Sequence, residues 1–231
     1  MISSTTSVGG SENLEVMLEA RNYNAFLVQK VSSAMAGRDR ILDFGAGRGD
    51  FARSLRERGH EVVCVEPEPA LQPILQELGL EAHLTLSEIR SKSVDGIYTL
   101  NVLEHIEDDE ATLTQLHDRL SERGLIFIYV PAFQVLFSSM DRRVGHVRRY
   151  RLGELVTKCR RAGIVVQKAR YCDSLGFVAS LVYKLTNRRD GTINLRSLVL
   201  YDQAIFPISR LIDTATGKLF GKNIWLVGSR A

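Results

Sequence analysis

The chain has 231 residues, 45% hydrophobic and 25% charged, an ordinary globular composition with enough apolar material for a sizeable core. Thirty basic against 27 acidic side chains leave a net charge of +3, which argues against a wholesale nucleic-acid binder and an acidic disordered chain. Cys64, Cys159 and Cys172 form no CxxC pair, so neither a disulfide framework nor a zinc cluster is indicated and a reducing compartment fits.

Residues 1 to 11 are small and polar and are expected to be disordered; they lack the basic and apolar regions of a secretory signal. No apolar run reaches the roughly 18 residues of a membrane span, so a cytoplasmic protein is the expectation. Leu14, Met17, Leu18, Phe26, Leu27 and Val31 recur at helical spacing and predict one or two helices between Leu14 and Met35. Arg40–Phe44 is a short apolar run ending in Gly-Ala-Gly, a strand and a tight loop. A helix follows over Phe51–Arg58, stopped by Gly59. Glu61–Val65 is a second strand, ended by Pro67 and Pro69. Ala70–Leu78 is helical with Gly79 at its C-cap, and Leu80–Leu84 is a third strand. Asp95–Leu100 is a fourth strand. A helix over Glu110–Leu120 then places Leu113, Leu116 and Leu120 on one face. Gly124–Val130 is a fifth strand, ended by Pro131.

Strands that are apolar throughout are buried on both faces. Alternation of such strands with helices predicts an open α/β fold, a Rossmann-like sheet with helices on both faces. Later elements are a helix over Leu152–Ala162, a strand over Ile164–Tyr171 and a last strand over Asn223–Val227. Residues 174–221 carry an apolar helical pattern through Leu175, Phe177, Val178, Leu181, Val182, Leu185, Leu198, Tyr201, Ile205, Ile208, Leu211 and Ile212. With no repeat and no linker in view, residues 12–231 read as one domain with 174–221 a helical insert.

The segment ILDFGAGRGDFA, Ile41–Ala52, is the strongest signal. Glycines between a strand and a helix permit positive φ and let a ligand touch the backbone, in the crevice where open α/β sheets bind nucleotides. A dinucleotide fingerprint GxGxxG needs glycine at position 50, where Asp50 stands; the form here is GxGxG after Asp43. Glu66, at the end of the second strand, is placed to accept hydrogen bonds from both hydroxyls of a ribose.

Residues 37–130 resemble the class I S-adenosylmethionine-dependent methyltransferases through these motifs. The resemblance implies a sheet of about seven strands, mostly parallel with the last antiparallel. It implies that Asp43, Gly45, Ala46 and Gly47 line S-adenosylmethionine, that Glu66 with Pro67 beside it holds the ribose, and that Thr85 and Leu86 lie on the adenine side. The LTLSEI segment there lacks the aspartate frequent in the family. NVLEHI, Asn101–Ile106, looks like the block after strand four of many small-molecule members, which makes Asn101 and Leu103 neighbours of the methyl sulfonium. The absence of an NPPY-type motif disfavours amide or exocyclic-amine acceptors. Glu107, Asp108, Asp109 and Glu110 read chiefly as helix-dipole acids.

Between Asp141 and Arg151, five arginines against one aspartate give +4, so the rest of the chain sums to −1. Two readings stand: a solvated basic turn, or a site for a carboxylate or phosphate of the acceptor, to which arginine's planar fork is suited. The second assigns Arg142, Arg148, Arg149 and Tyr150 to the substrate. With NVLEHIEDD and FGKNIWLVGSR, the PA…D…GH.RRY block resembles a narrower bacterial subgroup, found alone or fused to glycosyltransferases.

The function implied is methylation of a small-molecule, glycan or lipid-linked acceptor, leaving S-adenosylhomocysteine. O-methylation needs a base; His146 is the first candidate and His105 the second, the latter more readily read as a hydrogen-bonded structural histidine. No set of carboxylates is spaced to converge with histidines, so no metal site is expected. The insert reads as a lid, a dimer surface or a contact at the inner membrane face. A methyltransferase-like module without chemistry, and a nicotinamide-dependent dehydrogenase, are the competing functions.

Overall fold

The computed structural model describes residues 19–185 and 195–231. The expectations for residues 1–11, for Leu14, Met17 and Leu18, and for 186–194 of the insert lie outside them.

Seven strands form one sheet: β1 Arg40–Phe44, β2 Glu61–Val65, β3 Glu81–His83, β4 Val94–Leu100, β5 Leu120–Pro131, β6 Val165–Cys172 and β7 Asn223–Ser229. Their order is β3-β2-β1-β4-β5-β7-β6. β1 to β5 pair in parallel, and β7 runs antiparallel between β5 and β6. The expected fold class holds. β1 and β2 have the expected bounds, because each is a continuous apolar run closed by glycine or proline.

The inner strands β1, β2, β4, β5 and β7 are buried on both faces, and alternate residues serve different cores. Leu42, Phe44, Val63, Val65, Ile97 and Ile126 pack with Leu113 and Leu116 of helix α4, Asp109–Arg119, and with Leu155 and Cys159 of α6, Leu152–Arg161. Ile41, Val62, Cys64, Tyr98 and Phe127 pack instead with Phe26, Leu27 and Val31 of α1, Arg21–Ala34. Ala52 and Leu55 of α2, Asp50–Arg56, and Leu75 of α3, Gln72–Glu77, join that second core. Each fully buried aliphatic side chain contributes roughly 1.5–3 kcal/mol, so this double burial fixes the register of the sheet.

After β5 a short helix α5, Ser139–Arg143, starts from a capping box in which Asp141 accepts from the Ser138 backbone N–H. The chain then returns to the sheet at Tyr150, which bridges Ala132 in parallel. The insert comprises α7 Ser174–Leu185, α8 Leu195–Leu200, a π-turn Tyr201–Ile205 and α9 Phe206–Thr216. Two carboxylates tie it down. Asp213 accepts from the backbone N–H groups of Asp173 and Ser174 at 2.7 and 2.9 Å. Asp202 accepts from those of Asn22 and Tyr23, both at 2.9 Å, and so caps α1 from 180 residues away. Among the described residues no helix is long and apolar enough to cross a membrane.

Asp202→Ala should cost about 1–2 kcal/mol in urea unfolding, the usual worth of a helix cap, with faster amide exchange concentrated in Arg21–Ala34. Uniform exchange across that helix and the sheet would contradict this role for Asp202.

Candidate functional site

Parallel strands deliver their carboxyl ends to one edge, and the chain changes direction between β1 and β4, where a crevice opens in such sheets. Asp43 ends β1 but one, Glu66 follows β2 and Asn101 follows β4. Gly45 and Gly47 leave β1 with φ of +85° and +55°. A Cβ on Gly45 would stand 2.3 Å from Val102 Cγ2, so only glycine allows this approach of the β1 and β4 exits. A Cβ on Gly47 would meet nothing within 4 Å, which leaves the loop's outer side open to a ligand.

Glu66 is buried, and its carboxylate braces the loop. Oε2 accepts from the Gly47 N–H at 2.8 Å and Oε1 from that of Glu68 at 3.0 Å. Each oxygen keeps a second lone pair. Asp43 is buried beneath, and Oδ2 accepts from the Tyr98 hydroxyl at 2.5 Å. Burial pushes the Asp43 carboxyl up to about 7; the Tyr98 hydrogen bond pulls against this, and the Glu66 charge adds to it. Ala46 is buried in the loop, whereas Pro67 and Thr85 are exposed. The Thr85 hydroxyl donates to Glu88 within a capping box. Leu86 and Leu103 sit with their side chains in the first core rather than on an open surface. Asn101 adopts φ +54°, held by its N–H to the Tyr129 carbonyl at 2.8 Å.

A second group forms where the segment after β5 folds back on the β4 exit. The Val147 N–H donates to the Glu104 carbonyl at 2.8 Å. This brings His146 against His105, ring centroids 4.7 Å apart and edge to face. His146 Nδ1 lies 2.8 Å from Asp141 Oδ1, and Nε2 lies 3.7 Å from Glu104 Oε1. Glu104 is 0% exposed, and neither carboxylate oxygen has a hydrogen-bond partner. Burial pushes its carboxyl up to about 8, against its own backbone N–H and the Arg149 charge. His105 is exposed as a residue; desolvation, and then the neighbouring His146, lower its pKa. Glu104, His105 and His146 thus converge, which the sequence spacing did not reveal.

Much of the arginine segment is engaged within the chain. Arg149 is pinned to Asp141, Nε at 2.7 Å from Oδ1 and a terminal nitrogen at 3.1 Å from Oδ2. Burial alone would raise the Asp141 pKa, but hydrogen bonds from His146 and Arg149 hold it well below the carboxylate range. Arg148 pairs with Asp109 at 3.0 Å and donates to the Glu107 carbonyl. Tyr150 is 0% exposed, and its hydroxyl donates to Asp109 at 2.7 Å and to the Leu103 carbonyl at 3.1 Å. Arg148, Arg149 and Tyr150 thus each meet a carboxylate of the chain itself, whereas Arg142 stays exposed. Asp109 is likewise more than a dipole acid: it is buried and also bound by Lys158 at 2.7 Å. Asp141 and Glu104 were missed as site residues. Only Asp141 had a readable signal, the Ser-x-x-Asp capping pattern after Ser138.

The folded protein keeps the Asp43 proton up to about pH 7, whereas the unfolded chain loses it near 3.8. This contribution to stability is full below the unfolded value and is lost as pH rises through 7. Asp43→Asn, which keeps an acceptor for Tyr98, should therefore gain up to roughly 4 kcal/mol over wild type between pH 4 and pH 8 in urea unfolding. Parallel pH profiles would remove the buried acid as the cause.

Comparison with known proteins follows the same lines. The chain is 16% identical to a SAM-dependent methyltransferase of Thermotoga maritima, covering 96% of each chain with a TM-score of 0.66. It is 17% identical to a SAM dependent methyltransferase of Archaeoglobus fulgidus, covering 93% of each chain with a TM-score of 0.60. Likenesses at this identity establish a Rossmann-like methyltransferase fold. An uncharacterized methyltransferase of Oceanobacillus iheyensis is 23% identical over 112 residues, 46% of this chain, which spans about half the length of that curated relative. Residues 12–169, well over half the chain, match the family described as a methyltransferase domain, and the chain belongs to that family.

Proposed function

We propose that the protein transfers a methyl group from S-adenosylmethionine to a hydroxyl oxygen of a small-molecule, glycan or lipid-linked acceptor. The observation that carries this reading is Glu66, a buried carboxylate at the β2 exit that grips the Gly47 N–H beside an open glycine loop. When bound, S-adenosylmethionine supplies a methyl on a sulfonium and leaves as S-adenosylhomocysteine. Residues 12–231 act as one unit. Glu66 receives the ribose hydroxyls, and Gly45, Ala46 and Gly47 approach the cofactor through their backbone with Asp43 beneath. Pro67, Thr85 and the backbone at Leu86 border the adenine, and Asn101 and the backbone at Leu103 lie toward the sulfonium.

The chain's remaining work is alignment and removal of the acceptor's proton. That proton leaves at the Glu104–His105–His146 group. His146 is the first candidate base, oriented through Nδ1 by Asp141 as a carboxylate orients a catalytic imidazole; His105 is the second. Exposed Arg142 is the arginine suited to an anionic group on the acceptor. Asp50 in place of a third glycine disfavours the dehydrogenase.

The insert favours an outer contact as well as a wall for the crevice. Leu200, Ile208 and Leu211 are 64%, 55% and 73% exposed while Phe206 and Ser209 of the same region are buried. This supports either a homodimer or the cytoplasmic face of a membrane as the surface met. Flotation with anionic liposomes should carry the protein upward and fail for Leu211→Glu with Ile208→Glu; a concentration-dependent dimer without flotation would support the self-contact instead.

At 100 times its Kd, S-adenosylmethionine should stabilise the protein by about 2.7 kcal/mol in thermal unfolding, and NAD should not. Glu66→Ala should weaken S-adenosylmethionine affinity roughly 10- to 100-fold, the worth of charge-assisted hydrogen bonds. His146→Ala should keep that shift and lose turnover; a shift with NAD alone would overturn the reading.

A further inference from the structure

We propose that Glu104, His105 and His146 form a mononuclear site for a divalent transition-metal ion, with open positions for an oxygen of the methyl acceptor. The metal site stands on geometry alone; its use on the acceptor rests on the methyl-transfer reading above.

One ligand atom from each of the three residues lies within 4.8 Å of the others. Ligands about 2.0–2.2 Å from one ion stand roughly 3–4.4 Å apart, so only a small contraction is needed. Within the group, His146 Nε2 and Glu104 Oε1 are already 3.7 Å apart.

Three further observations point to an ion. Glu104 is fully buried with neither oxygen hydrogen-bonded, although a buried carboxylate ordinarily finds a donor or a cation. His146 has its Nδ1 engaged by Asp141, itself locked by Arg149 and Ser138. This is the outer-shell carboxylate that fixes a ligating histidine's tautomer and turns Nε2 to the metal. The third ligand, His105, lies at the solvent-exposed side, which supplies an entry path.

Two imidazoles and one carboxylate select manganese, iron, cobalt or zinc over magnesium, and three protein ligands leave positions for exogenous oxygen. A coordinated acceptor hydroxyl loses its proton more readily. With the metal bound, His146 and His105 serve as ligands in place of the base role given them above, and that proton passes to solvent.

The test uses the tag-free full chain, stripped with a chelator and titrated calorimetrically with Zn²⁺, Co²⁺, Mn²⁺ and Mg²⁺. About one equivalent of Zn²⁺ or Co²⁺ per chain is expected, with Mg²⁺ much weaker. Glu104→Gln, His105→Ala and His146→Ala should each weaken Co²⁺ at least 10-fold and alter its visible absorption. Asp141→Asn should weaken it about 10- to 100-fold, and His83→Ala, in the exposed Glu81–Glu88 group, should leave it unchanged. Melting curves and the S-adenosylmethionine shift certify folding, and His105→Ala carries the test if the buried variants fail to fold. No saturable one-to-one binding by wild type, or binding unchanged in all three ligand variants, overturns the metal site. A retained S-adenosylmethionine shift in that case leaves the methyl-transfer reading standing. Metal binding without that shift would do the reverse.

Discussion

Parallel strands cannot be joined by a tight turn, so each of β1, β2 and β4 returns through a crossover before its neighbour begins. Their carboxyl ends, and that of β5, therefore share one edge. Along it lie the glycine loop after β1, Glu66 after β2, Asn101 and the Glu104–His105 turn after β4, and the returning segment after β5. The sheet holds this edge in place because both faces of its inner strands are buried, by α1 and α2 on one side and α4 and α6 on the other. A strand slipped by one residue would exchange the two cores, so the relative heights of those exits are set by packing and not by the loops.

The edge gathers buried carboxylates, which are costly out of water unless paired. The chain resolves each differently. Glu66 is met by two backbone N–H groups, Asp43 by the Tyr98 hydroxyl, Asp141 by His146, Arg149 and Ser138, and Asp109 by Tyr150, Lys158 and Arg148. Glu104 alone among these five has no hydrogen-bond partner. The basic stretch from Arg142 to Arg151 belongs to the same arrangement: two of its arginines neutralise acids that folding has placed beneath them. Positive φ at Asn101, Phe133 and Asp173, at the exits of β4, β5 and β6, places backbone strain along this same edge.

The sequence by itself determined the sheet and the position of the glycine loop and Glu66 along its edge. Apolar runs such as RILDF and EVVCV, bracketed by glycine or proline, can be satisfied only as doubly buried strands. GxGxG after one such strand and Glu66 after the next are local features a few residues from those strands, so their placement follows once the strands exist. What the tertiary structure decided was the pairing of charges. Arg148, Arg149 and Tyr150 have the same chemistry whether they face a substrate or Asp109 and Asp141, and only the fold says which carboxylate is near. Likewise His105 and His146 are 41 positions apart, and nothing local signals their contact. It exists because the Val147 N–H closes onto the Glu104 carbonyl, a long-range backbone hydrogen bond made once β4 and β5 lie side by side.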